Sequence, residues 1–221
     1  MGRSAFAVIF DMDGTLLDNN PYHYKAWVEF YKKRGYNLTE QDYLQNISGV
    51  PIRSHLNRFL GKLVEEEQIA QLSEEKESLY RKLYEPYIKP IDGLISFLKQ
   101  LKETSTKTAI ATSATAENMK FAMDHLNLWP WFDEIVDTTQ VENGKPAPDI
   151  FLKAAEKLET APEKCVVIED SFAGINGANA ADMKVIAITT SNTAETLVPH
   201  SLAVSNYNNL TVEKLAGLFS D

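Results

Sequence analysis

The 221-residue sequence has one cysteine, Cys165, so an internal disulfide is excluded and a reducing compartment is the expected setting. No stretch approaches the ~20 consecutive apolar residues that would span a bilayer. Positive charge is in short supply. Lys and Arg number 22 against 31 Asp and Glu, and the net charge of −9 argues against a broad basic face for nucleic acid. The apolar run that ends at Phe10 meets Asp11 far too soon to be a secretory signal core, so a cytoplasmic location is expected. Internal repeats and low-complexity segments are absent, and no obligate protein partner is implied. What is present, 44% hydrophobic and 24% charged residues, is the composition of a globular chain with one domain, or one and a small second.

Ala5 to Phe10 is a compact apolar run ending at an acidic, glycine-containing turn, the pattern of a strand buried on both faces. Similar runs lie at Thr108–Thr112, Cys165–Ile168 and Val185–Ile188, with a weaker one at Glu134–Val136 and a short last one at Leu202–Val204. Helical stripes separate them: Leu94, Phe97, Leu98 and Leu101; Met119, Ala122, Met123 and Leu126; Phe151, Ala154, Ala155 and Leu158. Strands alternating with helices predict an α/β fold, a Rossmann-like, doubly wound parallel sheet whose ligands sit at the carboxyl ends of the strands.

Between the first strand and the second the chain spends almost a hundred residues, where a crossover needs about a dozen. The excess predicts an inserted all-helical cap over 19–89, leaving 1–18 and 90–221 as the core. Asn20-Pro21 reads as a helix N-cap and first position, followed by a stripe of Tyr24, Trp27, Val28 and Tyr31. Thr39 to Asp42 resembles a capping box. Further helices are predicted over 52–60, 65–72 and 73–84. Trp129-Pro130-Trp131-Phe132 reads as core-edge packing, His55, His125 and His200 have no ligand-like partners, and Cys165 reads as a buried small hydrophobe.

The sharpest chemical signal is Asp11-Met12-Asp13-Gly14-Thr15, directly after the first strand. Side chains two apart in extended backbone point the same way, so both carboxylates would face the crevice, with Gly14 permitting the turn. The alternative is a solvated acidic turn. Thr112 and Ser113 end the second strand and either bind an anion with their hydroxyls and the neighbouring N–H groups or merely cap a helix. Lys145 sits on a stiff Pro-rich loop, where a lone lysine would ordinarily be solvated. Glu169-Asp170 closes a buried strand and either holds a cation or is a surface acidic pair.

Taken in order, these motifs resemble the haloacid dehalogenase superfamily of aspartate-nucleophile phosphotransferases over nearly the whole chain. The resemblance implies Asp11 as nucleophile and Asp13 as general acid and base. It implies Gly14, Ser113, Ala114 and Lys145 as phosphate-binding groups, and Asp11, Asp13, Glu169 and Asp170 around Mg²⁺. Charge points the same way. Four ionised carboxylates against one ammonium leave −3, which repels a phosphate dianion, so a divalent cation and a protonated Asp13 are required. Oxygen donors without His or Cys favour Mg²⁺ over zinc.

Around Asp18 to Trp27 the chain resembles the β-phosphoglucomutase branch, with His23 and Trp27 at matching positions of the first cap helix. Alone, His23 would read as a surface histidine and Trp27 as core. Lys76 is similar to a cap lysine that couples the histidine to closure in that branch. The likeness adds Gly49, Arg53, Thr115 and Asn118 to the substrate side. Two departures stand out: Gly49-Val50-Pro51-Ile52 replaces Gly-Val-Ser-Arg, displacing the cation to Arg53, and Ser113-Ala114-Thr115-Ala116 lacks the lysine of Ser-Ala-Ser-Lys. With distal-phosphate cations displaced or missing, the expectation is a Mg²⁺-dependent phosphohydrolase of a small phosphorylated metabolite, a sugar phosphate being one candidate. A sugar phosphomutase is the alternative. A binding protein without turnover ranks below both, because it needs no acid two residues from a nucleophile. Dehalogenation is disfavoured, because a leaving halide needs no Asp13.

Overall fold

The computed structural model describes residues 6–47, 52–61 and 63–220. It forms two compact units, Met1–Asp18 with Ile88–Asp221, and Asn19–Tyr87. In chain order the elements are β1 (Ala7–Phe10), α1 (Asn20–Lys32), α2 (Glu40–Asn46), α3 (Ile52–Leu60), α4 (Glu66–Tyr84), α5 (Leu94–Glu103), β2 (Lys107–Thr112), α6 (Ala116–His125), β3 (Glu134–Asp137), α7 (Asp149–Lys157), β4 (Cys165–Glu169), α8 (Phe172–Ala180), β5 (Lys184–Ile188), β6 (Leu202–Val204) and α9 (Val212–Gly217).

The larger unit is a six-stranded sheet in the order β3-β2-β1-β4-β5-β6 with every pairing parallel. β1 is central: Ile9 sits opposite Ala109 on one side and Val167 on the other. The strand order reverses between β1 and β4, and the crevice of such a sheet opens beyond the carboxyl ends at that reversal. One sheet face buries Ile9, Ala109 and Val167 against Ile150, Phe151 and Ala154 of α7 and Ile175 and Ala178 of α8. On the other, Phe10 meets Phe97 of α5 at 6.3 Å and Tyr207 at the same distance. Both faces are covered, which is why these strands read as continuous apolar runs.

The core helices differ from their sequence stripes in one respect. In α6 it is Asn118, with Ala122 and Met123, that is buried, while Met119 and Leu126 are half-exposed. Of the aromatic run, Phe132 packs edge-on to Phe10 at 5.6 Å. Trp129 is instead 44% exposed, its indole N–H donating to Asp124.

Among its described residues the smaller unit is all helical. Thr39 caps α2, accepting from the N–H of Asp42, whose carboxylate accepts in return from the N–H of Thr39. The N-cap of α1 is Asn19 rather than Asn20, and its amide donates to Tyr80 Oη at 2.6 Å instead of capping the helix. The expected helices over 65–72 and 73–84 are one continuous helix, α4. Ser73 costs a helix interior little, and no Gly or Pro interrupts 66–84, so the hydrogen-bond ladder runs through. His55 is a core residue here, accepting from or donating to Tyr31 Oη at 2.9 Å and lying edge-on to Trp27.

Candidate active site

Every candidate catalytic group in the larger unit stands at the carboxyl end of a strand. Asp11 follows β1, its N–H still donating to Ile168 O at 3.0 Å, so the nucleophile candidate is anchored to β4 by the last rung of the sheet. Gly14 adopts φ +79°, a conformation costly for side-chain-bearing residues, and donates to Leu17 O at 2.8 Å to close the turn. Glu169 ends β4 and Asp170 follows it. All three acidic groups are buried, with Asp11 7%, Glu169 1% and Asp170 3% exposed.

Lys145, from the loop after β3, reaches this cluster. Its ammonium donates to Asp11 Oδ1 at 2.5 Å, Glu169 Oε1 at 2.8 Å and Ala111 O at 3.0 Å, using all three protons. Glu169 Oε2 accepts the N–H of Ser171 at 2.7 Å, so both oxygens of this side chain are held. A Cβ on Gly174 would lie 1.6 Å from Glu169 Oε1, so only glycine at this point of α8 leaves room for the carboxylate.

The electrostatics follow from burial. Desolvation pushes the Asp11 carboxyl up to about 7, with Glu169 and Asp13 adding repulsion and Lys145 opposing it. Asp170 is raised well above the usual carboxylate range by burial and then by Glu169 and Asp11. Burial works against the Lys145 charge, but Asp11 and Glu169 outweigh it and hold the ammonium above its ordinary value.

One ligand oxygen from each of Asp11, Glu169 and Asp170 lies within 4.8 Å of the others. These are hard oxygen donors, mutually repelling and undercompensated by one lysine. Such a set fits a divalent cation of the Mg²⁺ kind. Asp13, half-buried two residues beyond Asp11, does not join that grouping.

The Ser113 to Thr115 segment links β2 to α6. Ser113 is exposed, the Ala114 N–H donates to Thr112 Oγ1 at 3.0 Å, and Thr115 caps α6 by accepting from the N–H of Asn118. Asn118 is buried in the first turn of that helix.

The fold has known counterparts. A family model described as haloacid dehalogenase-like hydrolase matches residues 8–188. The chain belongs to the haloacid dehalogenase-like hydrolase family. This hydrolase is 33% identical over 180 residues to a phosphorylated carbohydrates phosphatase of Thermotoga maritima, covering 81% of this chain and 83% of that one. It is 29% identical to the β-phosphoglucomutase of Bacillus subtilis, covering 95% and 93%. The crystal structure of a family IA, variant 3 hydrolase from Entamoeba histolytica superposes with a TM-score of 0.90 at 34% identity, covering 96% and 98%. The hydrolase is thus an enzyme of the phosphatase and phosphotransferase type, of the β-phosphoglucomutase-like branch. Among the described residues no helix is long and apolar enough to cross a membrane.

Within the hydrolase's helical unit, His23 stacks on Tyr80 with centroids 3.8 Å apart. Lys76, 3% exposed, donates to His23 Nδ1 at 2.7 Å and lies 5.1 Å from the centre of the Trp27 ring. Burial, and then the Lys76 charge, hold His23 well below the ordinary imidazole value, so it accepts through Nδ1 as the neutral ring. Arg53 is engaged locally, pairing with Glu66 and donating to Val64 O. Gly49 lies outside the described residues.

Three groups at the site escaped the sequence reading. Thr190 and Tyr207 donate their hydroxyls to the consecutive carbonyls of Gly14, at 2.5 Å, and Thr15, at 2.9 Å, fixing the turn of the first motif. Ser191 donates to Asp170 Oδ2. The Thr189-Thr190-Ser191-Asn192-Thr193 run at a strand's carboxyl end was the available signal, whereas nothing local to Tyr207 distinguishes it.

Proposed function

We propose that the chain is a Mg²⁺-dependent phosphohydrolase that acts on a small phosphorylated metabolite through an aspartyl phosphate on Asp11. The observation that carries the reading is the buried Asp11–Lys145–Glu169 constellation beside Asp170 at the β1/β4 crevice. The phosphorylated carbohydrates phosphatase of Thermotoga maritima makes a sugar phosphate the first substrate class to try.

Asp11 attacks phosphorus in line with the leaving oxygen. The bond from its carboxylate oxygen to phosphorus forms as the bond to the leaving oxygen breaks, and Asp13 supplies the proton that the departing alkoxide takes up. In the second half Asp13 takes a proton from water as that water attacks the phosphorus, releasing inorganic phosphate and the free Asp11 carboxylate. Lys145, by exchanging one of its present acceptors, and Ser113, with the N–H groups of the 113–115 turn once Ala114 leaves Thr112 Oγ1, receive the non-bridging oxygens. Asp11 and Asp170, with Glu169 beside them, would hold Mg²⁺. When bound, the ion neutralises charge that would otherwise repel the phosphoryl group.

The test is a panel of phosphate monoesters with and without Mg²⁺, run on the wild type and on Asp11→Asn. Release of phosphate that needs both the metal and Asp11, and a beryllofluoride adduct on Asp11, support the reading. Turnover unchanged in EDTA, or undiminished in Asp11→Asn, overturns it.

The His23–Lys76 contact favours a second reading, a phosphomutase of the Bacillus subtilis β-phosphoglucomutase kind. Against it, Arg53 is engaged by Glu66, and Ala116 stands where a lysine would be needed. Conversion of glucose 1-phosphate only when a trace of glucose 1,6-bisphosphate is supplied would reverse the order.

A further inference from the structure

The loop that leaves β5 carries three successive polar residues, and each reaches a different atom of the acidic crevice. Thr190 donates to Gly14 O at 2.5 Å, Ser191 donates to Asp170 Oδ2, and the Asn192 amide donates to Asp170 O at 3.1 Å. Asp170 is therefore gripped at both ends, once on its side chain and once on its backbone, by residues 21 and 22 positions further along the chain. Ser191 is itself exposed while Asp170 is 3% exposed. An exposed serine contributes little packing, and the contact that ties this one to the crevice is the hydrogen bond to the Asp170 carboxylate.

We propose that Thr190-Ser191-Asn192 is a positioning strap for the cation site: Ser191 holds the Asp170 side chain in the rotamer that meets the ion, Asn192 holds the Asp170 backbone, and Thr190 ties the Gly14 turn to the same loop. The proposal rests on the Mg²⁺ reading above. Its physical basis is pre-organisation. A carboxylate already fixed by outer hydrogen bonds loses less rotamer freedom when the ion arrives, and its oxygens stay aimed at the other ligands. The strap acts through Asp170 and touches neither the phosphoryl group nor the leaving group.

Isothermal titration of the full-length, metal-stripped protein with MgCl₂ tests it. Ser191→Ala is expected to weaken Mg²⁺ binding by about 10–100-fold, with the melting temperature in EDTA unchanged and kcat recovered at saturating Mg²⁺. Ser191→Thr, which keeps the hydroxyl, should bind Mg²⁺ as the wild type does, as should Thr193→Ala in the same loop. A wild-type Mg²⁺ Kd in Ser191→Ala overturns the strap, and so does a Ser191→Thr that binds as weakly as Ser191→Ala or a Ser191→Ala that melts early in EDTA. These outcomes leave the phosphotransfer reading standing. A wild type that binds no Mg²⁺ overturns both.

Discussion

Lys145 and Asp11 are separated by 134 positions in the chain, yet the ammonium donates to the Asp11 carboxylate at 2.5 Å. The lysine side chain is 6% exposed and also serves Glu169, so a single buried cation stabilises two buried carboxylates. Repulsion within the cluster and attraction to Lys145 oppose each other, and this opposition sets the consequences below.

Removing the cation leaves the carboxylates uncompensated. Lys145→Ala should therefore cost about 3–5 kcal/mol of stability near neutral pH, the usual penalty for deleting one partner of a buried pair, and abolish turnover. Urea unfolding in EDTA measures the first and phosphate release the second. A variant as stable as the wild type would show that the pair contributes no net stabilisation.

Asp13 is outside the cluster of grouped oxygens, which suits a group that must take up and release a proton. Asp13→Asn should keep Mg²⁺ affinity but lower kcat by about 10²–10⁴-fold for substrates with poor leaving groups. With an activated aryl phosphate, whose leaving group needs no proton, the defect in the first step should shrink. An equal loss for both kinds of ester in a burst experiment would point away from an acid.

Gly174 leaves the space that Glu169 fills, since an added Cβ would lie 1.9 Å from its carboxyl carbon. Gly174→Ala should evict that carboxylate from Lys145 and from the Ser171 N–H, and weaken Mg²⁺ binding, in line with the ~10–100-fold typical of supporting residues. Gly217→Ala meets no atom within 4 Å and serves as the control. Calorimetric titration with Mg²⁺ distinguishes the two.

The folded-state Asp11 pKa of about 7 lies above its ordinary 3.8. Between these values the folded chain keeps a proton that the unfolded chain has released, so the associated stability is complete below about pH 4 and disappears as pH rises through about 7. Asp170 shifts in the same direction. In EDTA, the melting temperature of the wild type relative to Asp11→Asn should fall across that window, and Mg²⁺ at pH 7 should restore it. A difference that stays flat or grows with pH contradicts the assignment of burial as the dominant cause.

Much of this molecule is written in local pattern. The β1 to β6 runs, the Leu94–Leu101 and Phe151–Leu158 stripes and the Thr39 capping box depend on neighbours a few residues away, and each is legible for that reason. The placement of Asp11, Asp13, Glu169 and Asp170 at strand ends follows equally from their positions after apolar runs. Elsewhere local pattern misleads: Ser73 looks like a break but lies inside α4, and the N-cap of α1 is Asn19, whose amide donates to the distant Tyr80, and not Asn20.

Tertiary structure alone decided which distant groups meet. Lys145 could have been a solvated loop lysine, His23 a surface histidine, and Ser191 one hydroxyl in a polar run. Sheet order brings β1 and β4 side by side, loop closure carries Lys145 and Ser191 to their ends, and burial then shifts proton affinities in a way no residue type carries by itself. Periodicity is a property of short segments of chain, whereas a buried charge is defined by its distance to others and by the water excluded from around it, and both exist only once the chain has closed on itself.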